Sequence, residues 1–115
     1  MLTCIRSKRQ RDAAEYALRT IQSSCIRPYI KTIYLYGSCA RGEEKYSSDV
    51  DLFLEESFRS RPELKKYLYL LKSEVSSEEL DDAETDLKIV VGDDWKRNKM
   101  LYYTNVRKEG IQIWP

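Results

Sequence analysis

In Tyr36-Gly37-Ser38-Cys39-Ala40-Arg41-Gly42 a glycine–serine turn precedes, after the ten residues 39–48, the aspartates Asp49 and Asp51 at the head of an apolar run. Alternate positions of a strand share a face, so the two carboxylates stand about 6.5–7 Å apart. Asp86 opens another apolar run and joins them if the two strands are neighbours. Clustered carboxylates repel, and the usual outcome is a raised proton affinity or a bound cation. Oxygen ligands alone favour Mg²⁺ or Mn²⁺, and two such ions about 3.5–4 Å apart serve phosphoryl transfer. Gly37 lets the backbone approach a phosphate, amides at a helix start point at the anion, and the Ser38 hydroxyl adds a donor. Metal on one side and amides on the other would hold a nucleoside triphosphate, and the chemistry expected is nucleotidyl transfer.

These residues need particular elements to position them. Over residues 7–26, Ala14, Leu18, Ile21 and Cys25 recur on one helical face, and Pro28 ends the helix. Residues 30–37 are β-branched and aromatic and read as a strand, with Ile33 and Leu35 on one face and Tyr34 and Tyr36 on the other. A short helix from Ser38 to Arg41 is closed by Gly42. Residues 49–54 form the second strand, aliphatic through Val50, Leu52 and Leu54, with Asp49, Asp51 and Phe53 facing away from the core. Ser60 and Glu63 have the capping-box spacing before a helix whose stripe is Leu64, Leu68, Leu71 and Val75. Residues 86–91 make a third strand, residues 94–109 a helix broken near Tyr103 and ending at Gly110, and residues 111–114 a last short strand. The order predicts an α/β (α+β) fold, a small mixed sheet with helices packed on one face, as a single domain over residues 1–115.

The totals exclude several classes. No histidine occurs among the 115 residues, which removes Ser-His-Asp and Cys-His catalysis and histidine metal sites. Three scattered cysteines without a CxxC give neither a zinc site nor a disulfide framework, and a reducing cytoplasm is the expected location. Twenty basic against 19 acidic residues leave a net charge of +1, so nucleic acid is not an expected partner. No run approaches membrane-spanning length, and no membrane association is expected. Charge is nonetheless segregated: residues 73–87 carry only acidic charges, and residues 96–108 are basic.

GSCARG, SDVDL and the later TDLKIV together resemble the minimal, MntA-like nucleotidyltransferases of the DNA polymerase β superfamily, whose signature is GS, ten residues, then DxD. The resemblance runs to the terminal KEGIQIWP. It implies a polymerase β-like fold, Asp49, Asp51 and Asp86 as catalytic metal carboxylates, two Mg²⁺ ions, and Gly37 and Ser38 gripping the triphosphate of ATP. It further implies a HEPN-domain toxin partner, with AMP moved from ATP to a tyrosine of that toxin and this chain as antitoxin. Asp51 or Asp86 would help deprotonate the attacking hydroxyl.

Other readings stand beside these. Arg41 either contacts phosphate or braces the turn by pairing with an aspartate. Arg41, Lys45 or Lys88 could neutralise the aspartates in an ordinary ion-pair network, although that leaves Gly37-Ser38 unexplained. Cys39 is a small residue in a tight turn, and Tyr34 and Tyr36 either pack or line the site. Transfer to a small molecule or RNA would ask for a substrate pocket built by an oligomer. A silent module that only masks a partner would have no use for three mutually repelling carboxylates.

Overall fold

The computed structural model describes residues 2–57, 62–77 and 82–115. Helix α1 (Lys8–Gln22) leads through a 3₁₀ turn (Arg27–Tyr29) into β1 (Ile30–Tyr36), which runs directly into α2 (Gly37–Arg41). Then come β2 (Val50–Glu56), α3 (Pro62–Glu74), β3 (Thr85–Val91), a 3₁₀ turn (Asp94–Lys96), α4 (Leu101–Glu109) and β4 (Ile111–Trp114). The sheet order is β3-β2-β1-β4, with β2 parallel to β3 and the other two pairings antiparallel. This is the mixed sheet expected.

Alternation dictates the core. Ile33, Leu35, Val50, Leu52 and Leu54 are fully buried on one face, beneath Ala14, Ala17 and Ile21 of α1 and Leu71 of α3. Each such apolar side chain removed from water contributes about 1.5–3 kcal/mol before the entropy of ordering is subtracted. The stripe expected on α3 is present, with Leu71 and Val75 buried and Leu64 and Leu68 half-buried against the core. The capping-box Ser60 lies outside the described residues.

Helices α1 and α3 form the one-sided layer that the aliphatic pattern predicts. The other face is covered as well: Phe53, Trp95 and Val106 are buried together, with Tyr34, Tyr36, Tyr102 and Tyr103 packed around them. The 3₁₀ turn and α4 supply that second cover. Phe53 is its centre, its ring 4.7 Å from that of Trp95.

Several boundaries differ from the sequence pattern, two of them for an evident local reason. Helix α1 stops at Gln22, because the Ser24 hydroxyl donates to the Ile21 carbonyl (2.7 Å) and competes with the next helical turn. Cys25 is therefore exposed and off the helix. The last helix divides before Leu101, where the Asn98 side chain accepts from the Met100 amide (2.9 Å) and turns the chain. Strand β2 begins at Val50, so Asp49 stands one residue before it. Among the described residues no helix is long and apolar enough to cross a membrane.

Candidate active site

The end of β1 builds one wall. Gly37 has φ +76°, in the left-handed region, which lets the chain leave the strand and enter α2 without a linker. Gly42, also left-handed, closes α2 five residues later as expected. Cys39 is buried, and its thiol donates to the Asp49 carbonyl at 3.6 Å, tying α2 to the start of β2. Burial pushes that thiol up to about 12, so it is inert packing rather than a nucleophile.

Strand β2 builds the floor. Asp51 is the one residue of the strand that is not buried; the other six are. It is paired in register with Tyr36 on one side and with Asp86 of β3 on the other. The parallel pairing puts the Asp51 and Asp86 side chains on the same face of adjacent strands, about 4.8 Å apart. Gly37 closes against this pair so tightly that a Cβ there would lie 2.5 Å from Asp51 Oδ2. Turn and carboxylate are thus in contact, and only a residue without a side chain fits between them.

Burial is the first cause raising the Asp51 carboxyl, followed by the charges of Asp86 and Asp49; Arg41 opposes them, and the net position is about 6. Asp51 thus feels the charges of both neighbouring aspartates, as the clustering expected from the sequence requires. Asp86 and Asp49 are both exposed, Asp49 at the mouth of the site. Two register-matched carboxylates with a third nearby present oxygen atoms, the donor type that Mg²⁺ or Mn²⁺ takes. Among the described residues, no group of three or more acidic or cysteine side chains is placed to hold a metal ion.

Arg41 is exposed and reaches two glutamates, Glu109 at 2.8 Å and Glu43 at 3.3 Å, rather than an aspartate. It links α2 to α4 while its charge still acts on Asp51. Tyr36 packs and lines the site at once: its hydroxyl shares a 2.7 Å hydrogen bond with that of Tyr102. Burial, then that bond and the charges of Tyr102, Asp51 and Asp86, raise Tyr36 well above an ordinary phenol. Lys88 shares the face of Asp86 but lies over the Tyr102 ring, 6.0 Å from its centroid, and makes no ion pair with an aspartate among the described residues.

The sequence reading missed four supporting residues. Gln10 is fully buried, and its amide nitrogen donates to the carbonyls of Lys45, Tyr46 and Ser48 at 3.0–3.1 Å. It thereby pins the loop between Gly42 and Asp49. Glu44 reaches back from that loop to accept from the amides of Arg6 and Ser7 ahead of α1. Glu55, fully buried, accepts from Thr32 (2.7 Å) and the Trp95 indole (2.8 Å), with Lys96 at 3.7 Å. Tyr102 completes the set from α4. A buried polar residue inside an otherwise apolar pattern was the available signal for Gln10 and Glu55, but its partners are 23–40 residues away.

A glycine–serine turn set against a central-strand carboxylate is the arrangement expected from the sequence for nucleotidyl transfer. The family model described as Polymerase beta, Nucleotidyltransferase matches residues 20–114, and the chain belongs to that family. Comparison with curated protein sequences gives no match. Among solved structures, a toxin-antitoxin with AMP-PNP is similar at 20% identity, TM-score 0.61, over 87% of this chain and 71% of that one. A mutant of the toxin-antitoxin MntA-HpeT is similar at 17% identity, TM-score 0.58, over 87% and 70% respectively. A protein from Sulfolobus solfataricus described as a nucleotidyltransferase is similar at 19% identity, TM-score 0.50, over 92% and 80%. At such identities these likenesses speak for the fold.

Proposed function

We propose that the chain moves AMP from ATP onto a tyrosine hydroxyl of a HEPN-type toxin partner, and so acts as the antitoxin of a pair. The observation that carries the reading is the Asp51–Asp86 register beside Gly37, which brings two carboxylates and a tight glycine turn to one place. Two of the structural relatives are toxin-antitoxin assemblies, one of them with AMP-PNP, which supports a toxin as partner and an adenine nucleotide as donor.

In this reading Asp51 and Asp86, with Asp49 at the mouth, hold Mg²⁺. Bound there, divalent cations neutralise the triphosphate and the departing pyrophosphate. The amides opening α2 and the Ser38 hydroxyl orient the β- and γ-phosphates, since the first amides of a helix have no carbonyl one turn before them. Arg41, held at the end of α2 by its glutamates, adds positive charge on the same side. The acceptor oxygen attacks the α-phosphorus, the bond from that phosphorus to the bridging oxygen of the β-phosphate breaks, and pyrophosphate leaves. The hydroxyl proton passes to a carboxylate of the Asp51–Asp86 pair.

The test uses ATP labelled in turn at the α- and γ-phosphate, with Mg²⁺ and a purified HEPN-domain protein. Label from the α position alone, on tyrosine, with pyrophosphate released, is the expected result. Label from the γ position would mean phosphorylation and would sink the reading.

A further inference from the structure

Two consecutive glutamates of β2 have opposite situations. Glu55, on the aromatic face, is fully buried and fully partnered. Glu56, on the α1/α3 face, is 3% exposed, and its Oε2 is buried without a hydrogen-bond partner among the described residues. Its burial raises the carboxyl above the ordinary range. A buried, unpartnered carboxylate is costly, and a native structure seldom keeps one without a use.

Glu56 lines a groove of about 650 Å³ between α3 and the free edge of β3. Its walls are Leu68, Ile89 and Val91, and Val91 is the register neighbour of Glu56. Lys65, Lys66 and Lys72 line the same groove, yet among the described residues none of them pairs with Glu56. The apolar surface also continues outwards, through Tyr69 (79% exposed), Leu70 (42%) and Val91 (42%). Glu56 lies five residues along β2 from Asp51 and on the opposite face, roughly 17 Å away, so this surface is separate from the candidate active site.

We propose that the groove receives a partner protein through a lysine or arginine set among apolar side chains, the cation meeting Glu56. The complement of an acid at the floor and three lysines at the sides is a base at the tip with carboxylates flanking it. A protein segment fits better than a free amine, because an amine would cover the floor and leave Tyr69, Leu70 and Val91 wet. The proposal does not depend on the nucleotidyl-transfer reading.

The test is selection of random displayed peptides against the full chain, followed by affinity measurement with the enriched peptides made synthetically. Enriched sequences should carry Lys or Arg between apolar residues. Glu56→Gln should weaken them by about thirtyfold or more, the effect of removing one partner of a buried charge pair. Tyr69→Ser, at an exposed position, should also weaken them and keeps the test valid if Glu56→Gln folds poorly. Mg²⁺-ATP binding should be unchanged in both variants. The proposal is overturned if no peptide is enriched, if the enriched peptides lack a basic residue, or if both variants bind them as tightly as wild type. Full displacement of the peptides by millimolar n-butylamine would overturn it in favour of a small amine. Self-association abolished by Glu56→Gln would overturn it in favour of a second copy of the chain.

Discussion

Gly37 meets two demands at once, a left-handed φ of +76° and a Cβ position 2.5 Å from Asp51 Oδ2. Either alone disfavours a side chain. Gly37→Ala should therefore cost about 1–3 kcal/mol in urea unfolding and displace Asp51, with triphosphate binding lost. Asp51 works in the other direction. Its folded carboxyl binds a proton more tightly than in the unfolded chain, so the folded protein carries a penalty that grows as pH rises from the ordinary carboxylate range through about 6 and is complete above it. Asp51→Asn, measured in EDTA, should be the more stable protein at pH 7–8 and lose that advantage by pH 4. Half-exposure and solvent screening reduce the expected gain to about 1–2 kcal/mol. A variant that is less stable at pH 8 would mean that Asp51 serves the fold. For Arg41, whose ion pairs are exposed, Arg41→Ala should change stability by under about 1 kcal/mol; a larger loss of triphosphate affinity would separate a phosphate role from bracing.

At the scale of elements, the active face is assembled by contacts that run between distant segments. Gln10 on α1 holds the loop that delivers Asp49 through three of its carbonyls, from a fully buried side chain. Gln10→Leu should cost about 1–3 kcal/mol and weaken triphosphate binding although Gln10 touches no site carboxylate. An unchanged melting curve would remove it from the scaffold. Glu55 fastens Trp95 and hence the second layer; Glu55→Ala should cost about 2–4 kcal/mol, read by unfolding, with altered Trp95 fluorescence. Here the limit of the sequence becomes visible. Gly37-Ser38 and Asp49-Val50-Asp51 were legible because turn chemistry and strand alternation act over two to ten residues. The aliphatic faces of β1, β2 and β3 were legible for the same reason. The cover over Phe53 was not, because Trp95, Tyr102 and Val106 meet it only after β3 has been placed. Tyr34 and Tyr36 were left between packing and lining the site, because what they pack against comes from a distant segment. Arg41 was left between phosphate and an aspartate; of its two glutamate partners Glu43 is two residues away and Glu109 sits 68 residues on.

The whole molecule divides its labour between the two faces of one sheet. One face, with α1 and α3, holds most of the aliphatic core and the Glu56 groove; the other holds the carboxylates, the aromatic layer and α4. Asp51 interrupts an otherwise buried central strand, and that single polar opening is where the family's chemistry would be housed. The near-neutral net charge stays consistent with a compact anionic ligand gathered locally rather than with long-range attraction of nucleic acid. The central claim is that Asp51 and the Gly37 turn hold a nucleoside triphosphate through a divalent cation. It is tested most directly by thermal unfolding with each nucleoside triphosphate, with and without Mg²⁺, on wild type and Asp51→Asn. A triphosphate at 100 times its dissociation constant should stabilise wild type by about 2.7 kcal/mol, only with Mg²⁺ present and most strongly for ATP, and should leave Asp51→Asn unmoved. No shift with any triphosphate, or a shift that persists in Asp51→Asn, would contradict the claim.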